Sequence, residues 1–246
     1  MKSKIKIFLY LFIIALLALT SCSTDGNTTE TVNSILVKKI IYYDNVDDIV
    51  TLYYKYNGNK LISESNNINY VANYTYTENV ITKIEELVDN KFQNSSEFTY
   101  VDGKIATAVY KRNYGGDYYF TYTYNSNGTV SYYSNLGFKG ILTLVNGNIV
   151  KDERIHNGSS SKSTHTYEYD AKNNPFKNVL GFNLLLDIDE LGMFSANNIT
   201  KHIDSNFLNG TSNYSLKYDA NDFPTEKWNP QGSNNSYNLH HSQYFY

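Results

Sequence analysis

Apolar and polar residues alternate singly along most of this chain. The cleanest stretch is Tyr118 to Tyr133, Y-Y-F-T-Y-T-Y-N-S-N-G-T-V-S-Y-Y, where Tyr118, Phe120, Tyr122 and Tyr124 interleave with Tyr119, Thr121 and Thr123. A period of two puts one residue type on one face of a strand. Asn125-Ser126-Asn127-Gly128 supplies the turn, because Gly accepts positive φ freely and Asn better than most residues. Thr129 to Ser134 is the returning arm.

The same unit recurs along the sequence. Ile35 to Tyr43 reads as a strand, Asp44-Asn45-Val46-Asp47-Asp48 as a turn, and Ile49 to Tyr56 as the next arm, followed by Asn57-Gly58-Asn59 and an exit through Leu61 and Ile62. Tyr74-Thr75-Tyr76 turns at Glu78-Asn79, Phe98-Thr99-Tyr100 at Asp102-Gly103, and Leu142-Thr143-Leu144 at Asn146-Gly147. Tyr167-Glu168-Tyr169-Asp170 and Leu216-Lys217-Tyr218-Asp219 are the last copies. Counted on the second residue of each pair, Tyr56, Tyr76, Tyr100, Tyr124, Leu144, Tyr169 and Tyr218 stand 20, 24, 24, 20, 25 and 49 residues apart. A period of that length with one turn inside it means two strands per repeat, hence an antiparallel meander of hairpins curled into a barrel-like all-β sheet. The double step at the end reads as one overwritten repeat. There, Asn174-Pro175-Phe176-Lys177 stops the alternation, and Leu180, Leu184, Leu185, Ile188 and Leu191 take helical spacing, which predicts a short helix or plug over 180–193. Gly181 and Gly192 oppose a regular helix. Tyr237 to Tyr246 reads as a closing strand.

The connections between repeats are longer and polar: Ser65–Asn69, Asp89–Ser95, Asn113–Asp117, His156–Ser163 and Asn206–Asn213. Turns in a meander alternate between its two ends, so tight turns gather at one end and these loops at the other.

Composition narrows the class. Tyr occurs 25 times against one Trp and three Pro, a balance that favours paired strands over helix or disorder. A net charge of -3 and a pI near 5.9 do not suit a protein that neutralises nucleic-acid phosphates. Cys22 is the single cysteine, so neither a disulfide framework nor a Cys-ligated metal is expected.

Lys2, Lys4 and Lys6 precede an uncharged run from Ile7 to Leu19, the build of a signal sequence. It ends in Leu19-Thr20-Ser21-Cys22, which resembles the lipobox of bacterial lipoproteins. That resemblance implies acylation of Cys22 and a signal peptide over 1–21; the small, polar, aperiodic stretch after it reads as a tether over 22–34, and the remaining length as a single β-domain over 35–246. Ser23 after the Cys gives no acidic inner-membrane retention signal, which points to the outer membrane. Tyr169-Asp170-Ala171-Lys172-Asn173 and Tyr218-Asp219-Ala220-Asn221-Asp222 resemble the turns of YD (RHS-type) repeats, although most copies lack the Asp. Tyr-x-Tyr-Asn-x-Asn-Gly, the lipobox and Asn174 to Val179 together resemble Bacteroidetes-type lipoproteins with a porin-like β-meander. The family implies a barrel-like sheet and no known activity. An inserted porin is opposed by outward faces such as Thr51/Lys55 and Thr121/Thr123, which are polar where a lipid-facing band is apolar, and favoured by the aromatic end Tyr244-Phe245-Tyr246.

Signals for chemistry are few. Of His156, His165, His202, His240 and His241, the adjacent pair points to opposite faces of a strand, and no metal-ligand spacing accompanies any of them. Asp187-Ile188-Asp189-Glu190-Leu191-Gly192 starts like a calcium loop but has Leu191 and Asn198 at ligand positions. Asp44/Asp47/Asp48 and Asp219/Asn221/Asp222 are ordinary turn acids. No nucleophile elbow, zinc-protease helix or phosphate loop is present. The expectation is therefore a non-catalytic, lipid-anchored envelope protein without cofactor. It binds a glycan or protein partner at the long-loop rim, where Tyr114 and Tyr118 offer flat apolar contacts. Trp228, in Lys227-Trp228-Asn229-Pro230, is a further candidate contact, placed by its turn at the opposite end as a core cap. The alternatives are a purely structural lipoprotein and a hydrolase built on carboxylates gathered by the fold.

Overall fold

The structure, a computed structural model, describes residues 34–45, 48–159, 162–186, 194–208, 210–230 and 241–246. The signal segment, Cys22, the tether up to Asn33, the calcium-like loop and His240 lie outside them. The strands are β1 (Lys39–Asn45), β2 (Asp48–Asn57), β3 (Lys60–Asn66), β4 (Tyr70–Thr77), β5 (Val80–Val88), β6 (Lys91–Val101), β7 (Lys104–Arg112), β8 (Tyr118–Tyr124) and β9 (Thr129–Ser134). They continue as β10 (Phe138–Val145), β11 (Asn148–His156), β12 (Lys162–Tyr169), β13 (Ile199–Asp204), β14 (Thr211–Asn213), β15 (Ser215–Tyr218), β16 (Pro224–Trp228) and β17 (His241–Phe245).

Every pairing is antiparallel and runs to the sequence neighbour, and β17 pairs with β1 to bring the ends of the sheet together. The interruption is at Tyr214. There β14, paired back to β13, passes into β15, paired forward to β16. The sheet is thus a nearly closed barrel, as the alternation predicts.

Six hairpins carry the same irregularity beside their turns at the tight-turn end, and β5–β6 carries it at the other end, between Glu86 and Leu87. Tyr56 pairs with Leu61 while Lys55 pairs with Ser63, leaving Ile62 as an extra residue in the returning strand. The shift recurs at Thr75/Tyr76, Thr99/Tyr100, Thr143/Leu144, Glu168/Tyr169 and Lys217/Tyr218. A β-bulge bends its strand and sharpens the local twist, which helps curl a flat meander, but it leaves ladder groups unpaired. The tyrosines of the next repeat meet those groups. The Leu61 N–H donates to the Tyr76 hydroxyl (3.1 Å), Tyr100 donates to the Ile81 carbonyl (2.7 Å), Tyr169 to that of Ile149 (2.7 Å) and Tyr246 to that of Pro224 (2.9 Å). The hairpin β8–β9 has no such shift, and the residue that follows it in the series is Leu144, which has no hydroxyl.

The segment between β12 and β13 corrects one expectation. No repeat is overwritten: β12 and β13 still pair, and residues 170–198 are inserted into their turn. The insert plugs the barrel, with Phe176, Val179, Phe182, Leu185 and Leu186 joining Leu61, Ile81, Ile105, Val130, Leu142 and Ile149 in one core. Among its described residues the helix is a 3-10 turn, Phe182–Leu184. Gly181 stands before it at φ 73, so close to the β4–β5 turn that a Cβ would lie 2.8 Å from the Asn79 carbonyl oxygen. Of the predicted helical positions, Leu180, Leu184 and Leu185 are described and Ile188 and Leu191 lie outside the described residues; Phe176 and Phe182 stack with each other (4.7 Å) and enter the core together.

Tight turns and longer loops do separate by end, with one correction. Asp89–Asn90 is a two-residue turn at the loop end, both residues at positive φ (51° and 60°), and β6 starts at Lys91. Asp and Asn tolerate that conformation, so the polar run 91–95 belongs to a strand.

Candidate functional site

The inward face of the barrel has two layers. Toward the tight turns it is apolar and filled by the plug. Toward the longer loops the inward positions, fixed by register, carry Glu64 on β3, Glu86 on β5, Asn94 on β6, Arg112 on β7, Asp152 and Arg154 on β11, His165 on β12, His202 and Asp204 on β13, and Lys227 on β16. Tyr74, Lys227 and Tyr244 lie deep enough for desolvation to shift their ionisation, yet each keeps exposed surface. Side chains with both properties line an internal space rather than fill it.

The wall of this space is organised in three clusters. On β9 and β11, Tyr132 donates to Asp152 Oδ1 (2.7 Å) and the Arg154 guanidinium holds Asp152 Oδ2 (3.0 Å) and the Tyr132 hydroxyl (3.2 Å). Asp152 is fully buried, and this pairing is what lets a charge sit there. Burial, with the Asp152 charge next, pushes the Tyr132 hydroxyl far above its usual range, so it stays a donor.

On β12 and β13, His165 Nδ1 and His202 Nε2 share a hydrogen bond of 3.1 Å, the Tyr167 ring stacks on His202 at 4.8 Å, and Asp204 Oδ2 lies 3.9 Å from His165 Nδ1. One proton bridges the two imidazoles. Burial, then the neighbouring His165, lowers the His202 pKa, against a weaker pull from Asp204. A lowered basic pKa means stability that is complete above the unfolded value, ~6.5, and declines as pH falls toward the folded one. Beside this pair, His202, Asp204, Phe207, Leu208, Gly210 and Ser212 line an open hollow of about 530 Å³ at the barrel mouth.

On β3, β4 and β5, Glu64 and Glu86 face inward in one row with Ala72 between them. Two inter-strand spacings put their backbones roughly 9.5 Å apart. Glu86 accepts from Asn94 (3.1 Å). Beneath Glu64, the Tyr54 hydroxyl is buried without a hydrogen-bond partner. These are the carboxylates that a hydrolase would use. Among the described residues no three His, Cys, Asp or Glu side chains are grouped to hold a metal ion.

The residues singled out from sequence are scattered across this arrangement. Tyr118 points inward at the mouth, stacked on Tyr110 at 4.6 Å with the Arg112 guanidinium 4.2 Å from its ring centre. Tyr114 is 79% exposed in the β7–β8 loop, on the same rim. Trp228 departs from expectation: as the last residue of β16 it lies away from the tight turn and, opposite in sense to Lys227, outside the barrel, with Lys217 Nζ 5.6 Å from its ring. It does not cap the core. Cys22 is outside the described residues. The inward Glu64, Glu86, Arg154 and Lys227 were missed in the sequence because each bulge shifts the inward phase by one residue, and a strict period of two cannot follow it.

No protein-family model matches the chain, and no curated protein matches it. Among solved structures it is similar to a porin-like protein from Bacteroides uniformis, with a TM-score of 0.53 and 12% identity over 85% of this chain and 97% of the other. At that identity the likeness concerns the fold.

Proposed function

We propose that this chain is a cell-envelope binding protein, held to the outer membrane by lipid on Cys22, which takes a glycan into the open end of its barrel. The observation that carries the reading is the division of the interior into an apolar, plugged floor and a polar, aromatic-rimmed upper layer. A barrel stopped at one end is a cup, and a cup with carboxylates, hydroxyls and an exposed aromatic rim offers the contacts that sugars use. Ser34, the first described residue, lies at the stopped end, bonded to Asn59 of the β2–β3 turn.

Screening on a glycan array, followed by calorimetry on the retained glycan, tests this. Tyr118→Ala removes a ring whose stacking is worth ~0.5–1.5 kcal/mol, a loss of about three- to tenfold in affinity, and Tyr114→Ala acts in the same direction. Trp228→Ala, on the outer wall, leaves affinity unchanged, and the glycan is recovered uncleaved. Loss at Trp228 without loss at Tyr118 would place binding outside the cup, and cleavage would move the assignment to the Glu64 and Glu86 pair.

A further inference from the structure

Several lysines of the described strands pair with acids on a neighbouring strand, as Lys111 with Glu97, Lys201 with Glu168 and Lys217 with Glu226. Lys227 departs from this. Its register with Leu216 and Ser242 turns it inward, and its ammonium lies 4.4 Å from the centre of the Tyr214 ring. A cation–π contact satisfies none of its three N–H donors. The charged groups near it do not supply a counter-ion. Glu226 and His241 are its neighbours on β16 and β17, and both point outward, within 3.9 Å of each other. Asp170 is the carboxylate that attracts Lys227, but its oxygens are already taken by the Tyr218 hydroxyl, the Lys172 N–H and both donors of Asn198. The Tyr214 ring lies under the ammonium, and Tyr218 and Tyr244 take nearby inward positions on β15 and β17. The segment 231–240, Q-G-S-N-N-S-Y-N-L-H, contains no acid. Lys227 is only partly buried, so its N–H donors remain open to an anion that enters the cup.

From this geometry we infer that Lys227 is the anion-recognising residue of the cup and that its ligand carries a single carboxylate, which makes the preferred glycan an acidic sugar. The inference rests on the glycan reading for the sugar and on Lys227 alone for the carboxylate. One ammonium matches the charge of a carboxylate, whereas a phosphate dianion calls for a second cation. Burial lowers the Lys227 pKa to about 8, with Asp170 pulling the other way. The amine is thus mostly charged at neutral pH and loses its charge well below the usual range of lysine.

The experiment compares a trisaccharide that carries one galacturonate among neutral sugars with its neutral methyl ester on the full chain, by calorimetry from pH 6.5 to 9.5, for wild type and Lys227→Met. The wild type prefers the acid by at least about tenfold, the effect of one charge-assisted hydrogen bond. That preference falls about tenfold per pH unit above pH 8 and vanishes in Lys227→Met, whose binding of the ester is retained. Benzoate, a carboxylate without a sugar, is titrated in parallel against the NMR signal of the 13C-dimethylated amine. A benzoate-induced rise in the Lys227 pKa with neither sugar bound keeps the anion site and rejects the glycan. Equal binding of acid and ester, unaffected by Lys227→Met, does the reverse. A Lys227 amine titrating near 10.5 with no ligand present would mean that a counter-ion already holds it, and overturns the inference. A melting temperature at least equal to wild type shows that Lys227→Met is folded, since methionine fills the lysine volume without the charge.

Discussion

Tyrosine is used in this chain for its hydroxyl as much as for its ring. Phe would serve the alternation and the packing equally, yet the repeat positions Tyr76, Tyr100 and Tyr169 each bond a backbone group of the bulge in the preceding hairpin. Where that hairpin lacks a bulge, Leu144 stands instead. Burial pushes the Tyr76 and Tyr169 hydroxyls up to about 12, so they remain protonated at any physiological pH. Tyr100→Phe should therefore lower stability by ~1–3 kcal/mol, because it leaves the Ile81 carbonyl unpaired in the interior. Tyr119→Phe, on the exposed outer face, should cost within about 0.5 kcal/mol. Chemical denaturation of the two variants measures the difference, and equal midpoints would refute the role assigned to the hydroxyl. The ladder of aromatics was legible in the sequence as a period of two. The reason for tyrosine was not, because the partner is a backbone atom exposed by a bulge some 20 residues earlier, and side-chain periodicity carries no trace of main-chain pairing.

The turns set the register of each hairpin, and they divide into those with spare length and those without. Asp102–Gly103 closes β6–β7 with both residues at positive φ, and Asp89–Asn90 closes β5–β6 in the same way, whereas Asn113–Asp117 bridges β7 and β8 with five residues. Because a one-residue slip sends every inward side chain outward, three residues inserted after Gly103 or between Asp89 and Asn90 should lower the melting temperature by several degrees. The same insertion after Gly115 should lower it little. Tolerance at Asp89–Asn90 equal to that at Gly115 would argue for a loop there, as the polar composition of 89–95 first suggested. That misreading has a physical source: Gln93, Asn94, Ser95 and Ser96 look like loop residues, but inside a barrel with a polar upper layer the inward face need not be apolar. The plug was half legible for a related reason. Asn174-Pro175 marked a break in the strand pattern, but nothing local says whether a break replaces a hairpin or is threaded into its turn.

For the whole molecule, the decisive question is what the outer wall faces. A barrel inserted in a bilayer presents an apolar band, and a Lys at the midplane of that band costs ~2–4 kcal/mol. This wall instead carries cross-strand ion pairs, Lys111 with Glu97 at 2.8 Å, Lys201 with Glu168 at 2.9 Å and Lys217 with Glu226 at 2.8 Å, together with Lys162 on Glu153. The apolar residues it does expose, such as Tyr53, Ile62 and Ile141, stand among Thr, Ser and Lys. On the reading proposed above, such a wall faces water and membrane association comes from the acyl chain on Cys22, not from the strands. The full chain expressed in a bacterial host with lipoprotein processing should fractionate with membranes and incorporate labelled palmitate. Cys22→Ser should lose the label and be recovered without detergent, with a melting transition unchanged from the detergent-extracted wild type. Label that persists in Cys22→Ser would remove the anchor from the account. A Cys22→Ser protein cleaved free of its signal segment that still needs detergent to stay in solution would mean that the strands themselves enter the bilayer, and the barrel would then have to be reconsidered as a plugged pore.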